Sequence, residues 1–187
     1  MAGEHETDDE FAARLDAVLI GGLRPRTVEL AEYDSEWPQR YAVERARIAS
    51  TLGEIARRID HIGSTAVPGL AAKPIVDIQV CVDDPDNEDG YRSRLEAVGY
   101  ELRVREPGHR MFRTPEGDVQ VHIWVAGGDD ELRHLQFRDW LRSHPEDRDL
   151  YEQTKRGLAD REWRDVNFYA RAKGPTIEAI LARARGA

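Results

Sequence analysis

The sequence predicts an α+β fold, a sheet with helices packed on one face and a helical lobe at the C-terminal end. Three observations predict it: strict alternation of apolar side chains over 75–82 and 118–125, a three-to-four-residue apolar recurrence from Trp37 to Ile59, and a helical pattern that runs on after Gly127-Gly128. Near the start, Leu15 to Gly22 reads as a short helix stopped by Gly21-Gly22. Asp34-Ser35 can cap a second helix from Trp37 to about Ala56. Ile59 to Ile62 then reads as a strand end. In Ile75 to Val82, one face carries Val76, Ile78, Val80 and Val82, and the other Ile75, Asp77, Gln79 and Cys81. Asp86 to Val98 reads as a helix ended by Gly99. Tyr100 to Arg105, His109 to Thr114 and Asp118 to Val125 read as strands separated by Pro107-Gly108 and Pro115-Glu116-Gly117. In the last strand Gln120, His122 and Trp124 share the polar face. Helices follow at Glu131 to Ser143, Pro145 to Ala159, Trp163 to Ala172 and Pro175 to Arg185, with Pro145 and Pro175 in first turns that tolerate the missing N–H.

Composition bounds the function. The 187 residues carry 27 Lys plus Arg against 36 Asp plus Glu, a net charge of −9. Within Met1 to Asp16 the six acids Glu4, Glu6, Asp8, Asp9, Glu10 and Asp16 face one base, Arg14, so this stretch reads as a solvated tail. Residues 1–24 are accordingly expected to form a tail with a short helix, 25–128 a core and 129–187 the helical lobe. No basic domain suited to a long phosphate backbone is present, which disfavours extended nucleic acid but leaves room for a small anionic nucleotide. No apolar run approaches the ~18 residues that cross a bilayer, so no membrane partner is expected and a cytoplasmic protein is. Lone Cys81 excludes an intramolecular disulfide and Cys-rich zinc motifs. The oligomeric state is not legible.

Chemistry concentrates in His61 to Val82, HIGSTAVPGLAAKPIVDIQVCV. Gly63, Ser64 and Thr65 follow a strand end, and small side chains there let backbone approach a phosphate closely. Twelve residues on, Asp77 stands on a strand among Ile and Val, where a carboxylate needs a cation or a hydrogen-bonding partner. Bland readings stay open beside these: a capped turn at Gly63-Ser64, and a structural ion pair of Asp77 with Lys73 or Arg110. Lys73, extended before Pro74, can reach a phosphate or solvent, and Arg110 can fork onto a phosphate or lie at the surface.

A Gly-Ser pair, a dozen residues and a strand Asp resemble the signature of the nucleotidyltransferase superfamily with the DNA polymerase beta-like fold. More closely, HIGSTAVPGLAAKPIVDIQV is similar to the hallmark of the GrpB family. YDSEWPQRYAVERARI at Tyr33 to Ile48, HRMF, VHIWV and FRDWLRSHP match it too, as do the stretches Tyr151 to Lys155 and Tyr169 to Lys173. The resemblance covers roughly Leu23 to Leu181 and implies a nucleotidyltransferase-like mixed sheet. It further implies a reaction in which Gly63 and Ser64 hold a nucleoside triphosphate, Asp77 holds Mg²⁺, and an acceptor hydroxyl attacks the α-phosphorus. Gln79 stands where many transferases carry a second carboxylate, and Gln120 or His122 where a third would project. Each missing unit charge at about 4 Å and an effective dielectric of about 20 is worth roughly 4 kcal/mol, about twice that toward a divalent ion. One Mg²⁺ held by Asp77, Gln79, waters and the triphosphate is therefore expected rather than two.

Lys155 and Lys173 are the tail cations singled out for the triphosphate. Arg138, Arg142, Arg164 and Arg171 read as solvated, pairing with acids such as Asp139, Glu152 and Asp165. His61, His109 and His122 show no metal-ligand spacing and are expected to make ordinary hydrogen bonds, His122 gaining a site role if its strand neighbours that of Asp77. Trp37, Trp140 and Trp163 read as packing anchors; Trp124 can stack on a base or in the core. The expected activity is transfer of a nucleotidyl group from a nucleoside triphosphate to a small acceptor. The alternatives are a non-catalytic nucleotide-binding or helper domain, as in GrpB domains fused to dephospho-CoA kinase, and an ATP-dependent small-molecule ligase on the same fold.

Overall fold

The computed structural model describes residues 6–25 and 27–186. Helix α1 (Asp8–Val18) opens with a capping box, Thr7 accepting from the Glu10 amide while the Glu10 carboxylate accepts from Thr7. The acids at 8–10 therefore sit in a first helical turn, where the helix dipole favours them. Phe11, Ala12 and Leu15 are buried, Phe11 edge-on to Phe168 at 4.9 Å. Asp9 pairs with Arg164 and Asp8 with Arg171. The stretch expected as a solvated tail is thus, from residue 8, a helix clamped to the C-terminal lobe; the expected helix of 15–22 lies earlier in the chain. Residues 1–5 of that tail lie outside the described residues.

Helix α2 (Trp37–Leu52) ends at Gly53, four residues short of the expected Ala56, and a single 3₁₀ turn follows. Strands β1 (Arg58–Ile62) and β2 (Val76–Val82) pair antiparallel, with Ile62 opposite Asp77. Helix α3 (Arg92–Ala97) is shorter than expected, its first part being a 3₁₀ turn at Glu88–Gly90. Strands β3 (Glu101–Glu106), β4 (His109–Arg113) and β5 (Val119–Val125) form a meander, and β5 returns to lie parallel to β2. The sheet order is β1-β2-β5-β4-β3, a mixed sheet with one parallel contact at its centre. Four helices close the chain: α4 (Asp129–Ser143), α5 (Pro145–Ala159), α6 (Val166–Ala172) and α7 (Gly174–Gly186).

Alternation sorts the two faces of the sheet. Val76, Ile78, Val80, Val119, Val121 and Ile123 join Ile48 and Leu52 of α2 and Leu95 of α3 in the main core. Burying a side chain of that size contributes about 1.5–3 kcal/mol. Two polar groups enter this core, and both are satisfied: Tyr100 donates to Glu44 and Tyr91 to the Pro85 carbonyl. The opposite face carries Asp77, Gln79, Gln120, His122 and Trp124, and the C-terminal helices cover part of it.

Phe112 is fully buried and meets Tyr91 edge-on at 6.1 Å. Phe112→Ala is expected to lower the urea unfolding free energy by about 3–5 kcal/mol. Val43→Ala, at a position exposed on α2, is expected to stay within about 0.5 kcal/mol of the parent.

Candidate functional site

The site begins at the end of β1. Gly63 takes φ +70°, a conformation that side-chain-bearing residues rarely adopt, and turns the chain into a short 3₁₀ segment at Ser64–Ala66. The antiparallel register brings Asp77 directly against this bend: a Cβ at position 63 would stand 2.5 Å from Asp77 Oδ2. Arg138 donates to the His61 carbonyl at 3.0 Å, and Arg142 donates to the Ala66 carbonyl through two nitrogens at 2.7 and 2.9 Å. These two arginines, expected as solvated, instead brace the bend from α4. Asp77, with 28% of its side chain exposed, opens into a cavity of about 680 Å³, within the range of small-ligand sites.

The facing wall of the same cavity comes from the helical lobe. Lys155 of α5 donates to Ser64 Oγ at 3.2 Å and to the Ala71 carbonyl, and the Tyr151 hydroxyl also bonds Ser64. Lys173 lies over the Tyr169 ring at 4.8 Å and the Tyr151 ring at 5.9 Å, and Lys73 over Tyr169 at 5.7 Å. Among the described residues neither Lys155 nor Lys173 has a carboxylate within ion-pair distance. Burial, reinforced by the Lys173 charge, pushes Lys155 down to about 7. Burial pushes Lys173 down to about 8 against the pull of Asp77. The Tyr169 hydroxyl is buried on the cavity wall with no hydrogen-bond partner among the described residues.

The polar strand face carries a second arrangement. Glu106 Oε1 meets His109 Nδ1 at 2.7 Å, His109 Nε2 meets His122 Nδ1 at 3.1 Å, and His122 Nε2 lies 3.7 Å from Asp77 Oδ1. The two imidazoles lie parallel with centroids 5.3 Å apart, and Trp124 stacks on His109 at 3.8 Å. Burial lowers His109 below the usual histidine value, and the His109 ring holds Glu106 below the usual carboxylate range.

Gly63, Ser64, Thr65, Lys73, Asp77, His122, Lys155 and Lys173 all line the one cavity. Thr65 does so with an occupied hydroxyl, which donates to the Ile75 carbonyl at 3.2 Å and meets His61 Nε2 at 3.0 Å. His61 is an ordinary buried histidine, stacked on Tyr41 at 4.7 Å and pushed down to about 4 by burial.

Two expectations fail, and of the two readings open for Trp124 the structure bears out packing. Arg110 is not at the site: along β4 the cavity takes His109, Met111 and Arg113, so alternation sends Arg110 to the side of Phe112. There it grips Glu88 at 2.6 Å and Asp86 at 3.0 Å. Gln79 does not line the cavity either. It is fully buried two residues further along β2, and its amide has no hydrogen-bond partner among the described residues. The open side of Asp77 is thus not shared by Gln79. Trp124, stacked on His109 and off the cavity wall, is not placed to receive a base.

Tyr151, Tyr169, Glu106 and His134 reach the cavity without having been singled out. The tyrosines carried a signal, the spacing Tyr-x-x-x-Lys occurring in both α5 and α6–173, which puts each ring on its lysine's helix face. No group of three or more His, Cys, Asp or Glu side chains suited to a metal ion occurs among the described residues. A cation at Asp77 would have His122 as its one neighbouring protein ligand and would draw the remaining ligands from water and a bound anion.

The fold and site define a small α+β protein in which lysines and tyrosines of the helical lobe share one cavity with the strand carboxylate Asp77. The chain belongs to the GrpB family: the family model described as GrpB protein matches residues 27–183. It is 45% identical over 183 residues to a UPF0157 protein of Halalkalibacterium halodurans, covering 95% of this chain and 92% of that one. The crystal structure of the conserved protein GrpB from Enterococcus faecalis superposes with a TM-score of 0.66 at 30% identity, covering 81% of this chain and 98% of that one. A dephospho-CoA kinase of Mycolicibacterium paratuberculosis is 30% identical over 186 residues, 84% of this chain but 46% of the kinase.

Lys155 and Lys173 titrate within reach of neutral pH, so anion binding here is expected to weaken as pH rises. Between pH 6 and 9 both free lysines lose the charge that a bound anion would keep on them. Calorimetric titration with inorganic triphosphate is expected to show affinity falling through this window, and Lys155→Met is expected to be weaker at pH 6 and flatter above it. A pH-independent affinity would contradict the assignment.

Proposed function

We propose that this protein transfers a nucleotidyl group from a nucleoside triphosphate to a small acceptor, in the cytoplasm and with Mg²⁺. The observation that carries the reading is the meeting, in one 680 Å³ cavity, of the Asp77 carboxylate at the Gly63-Ser64 bend with Lys155, Lys173 and Tyr169 of the helical lobe. Polyphosphate is the ligand chemistry that satisfies both sides at once, because its oxygens accept from the lysines and ligate a cation.

In this reading Ser64 Oγ, held by Lys155 and Tyr151, donates to a phosphate oxygen. Lys155 and Lys173 become fully charged against the triphosphate and stay close to the pyrophosphate as it leaves. Asp77 holds the cation, which supplies charge neutralisation at the α-phosphoryl oxygens. His122, beside Asp77 on the neighbouring strand, occupies the place where the resemblance puts a third carboxylate. On the lobe side the cavity wall is made by two buried tyrosines, Tyr151 and Tyr169.

A second reading has its own support. Gln79 is withdrawn from the cavity, leaving one carboxylate where transferases of the superfamily use more, and the chain resembles part of a dephospho-CoA kinase. Both facts suit a nucleotide-binding module that assists another activity.

Pyrophosphate release from each of the four nucleoside triphosphates, measured with Mg²⁺ over a panel of small hydroxyl and amine acceptors, separates the two. The transfer reading expects turnover that falls by about 100-fold or more in Asp77→Asn while the variant keeps its fold. Nucleotide binding with no turnover on any acceptor would replace it with the second reading.

A further inference from the structure

The hydrogen-bonded file Glu106–His109–His122 ends on the cavity carboxylate, and donor counting fixes what its last atom presents. The Glu106 carboxylate only accepts, so the His109 nitrogen facing it at 2.7 Å, Nδ1, carries the proton. A neutral His109 then has a bare Nε2, which at 3.1 Å accepts from His122 Nδ1–H. A neutral His122 therefore has its lone pair on Nε2, pointing toward Asp77 Oδ1 at 3.7 Å. Two acceptors facing each other across that gap have no bond to make with one another. They do have room for a cation, since a ligand bond of about 2.1 Å to each side spans the separation.

We infer that Glu106 and His109 are positioning residues that fix the tautomer of His122, so that His122 Nε2 and Asp77 Oδ1 together form a mixed nitrogen and oxygen site for one divalent cation. This rests on the cation reading of the proposed function and adds to it the identity of the second ligand, a nitrogen in place of the carboxylate that Gln79 does not supply. The donor set also sets a preference. Imidazole suits borderline cations such as Fe²⁺, Ni²⁺ and Zn²⁺, whereas Mg²⁺ and Mn²⁺ prefer oxygen, so nitrogen bound to Mn²⁺ is a stringent sign of the site. The arrangement has the form of a metal-bound histidine whose other nitrogen is held by a second side chain, here extended by one imidazole to a carboxylate. Trp124, stacked on His109 at 3.8 Å, braces that ring, and the two imidazole planes stay within 8° of parallel along the file.

The test is pulsed electron paramagnetic resonance of Mn²⁺ bound to the full chain, with and without inorganic triphosphate. The inference expects nitrogen hyperfine coupling to Mn²⁺ that disappears in His122→Gln. It also expects Mn²⁺ affinity to fall by about tenfold or more in Glu106→Gln, because the amide can donate to His109 Nδ1 and reverse the file, capping His122 Nε2 with a proton. A loss of packing alone would not remove the nitrogen signal, and circular dichroism confirms that both variants are folded. If either variant unfolds, His122→Asn and Glu106→Asp take their places with the same expectations. Mn²⁺ bound without nitrogen coupling, or no Mn²⁺ bound under either condition, overturns the inference. Nucleotidyl transfer by a protein lacking the coupling would overturn this inference and leave the transfer reading standing; coupled Mn²⁺ with no transfer would do the reverse.

Discussion

The close approach of Asp77 to Gly63 is the constraint on which the rest of the site depends. A carboxylate oxygen stands where a side-chain carbon at position 63 would be, and the backbone there is left-handed. Any other residue would meet both a steric overlap and a strained φ. The contact follows from sheet register: β1 and β2 pair so that Ile62 lies opposite Asp77, and the bend begins at the next residue. The β2–β5 pairing adds His122 two steps further along the neighbouring strand. Main-chain hydrogen bonding thus holds the carboxylate, the bend and the imidazole in fixed relation before any ligand arrives, which spares the binding step the cost of ordering them.

The second organising element is an imbalance of charge. Nearly every arginine with a described partner meets a carboxylate or a carbonyl, as Arg57, Arg105 and Arg156 do at the surface. Lys155 and Lys173 have no carboxylate partner among the described residues; Lys155 is buried, Lys173 half-buried, and each is pushed down toward neutrality. Burying cations without counter-charge weakens the unliganded fold, and in the proposed function a bound polyphosphate supplies that counter-charge. Depressed lysines also allow the empty cavity to exist without full electrostatic penalty and to recharge when an anion enters. Helix α1 adds its own clamp on this lobe through Asp8, Asp9 and Phe11, so the acidic N-terminal stretch holds the wall in place rather than trailing from it.

Much of this was legible in the sequence, for identifiable physical reasons. The alternation in 75–82 and 118–125 is a local property, and it placed Asp77 and His122 on one polar face. The bend at Gly63-Ser64 and the lysines at 155 and 173 were legible as types suited to phosphate. What was not legible depends on register and depth. Arg110 looked suited to phosphate until the parity of β4 sent it to Glu88, and parity is fixed by the pairing of Met111 with His122, which the sequence does not state. Gln79 shares a face with Asp77, yet it is fully buried and the cavity that takes Asp77 does not reach it. The Glu106–His109–His122 file needs the β3–β4 turn and the β4–β5 register together, so three residues without metal-ligand spacing converge only in the folded sheet. The start of α1 was hidden by its acidity, because a run of Asp and Glu reads as solvated tail when its capping box and its partners, Arg164 and Arg171, are not considered.

The central claim is that a polyphosphate and a cation meet between the Gly63 bend, Asp77 and the lysine wall. Crystals grown with Mn²⁺ and a non-hydrolysable nucleoside triphosphate analogue, with data collected at the manganese absorption edge, test it most directly. The account predicts an anomalous peak within coordinating distance of Asp77, and phosphate density reaching from that peak to Ser64 Oγ and Lys155 Nζ. Nucleotide bound elsewhere on the molecule, or a cavity holding the triphosphate with no cation at Asp77, would contradict it.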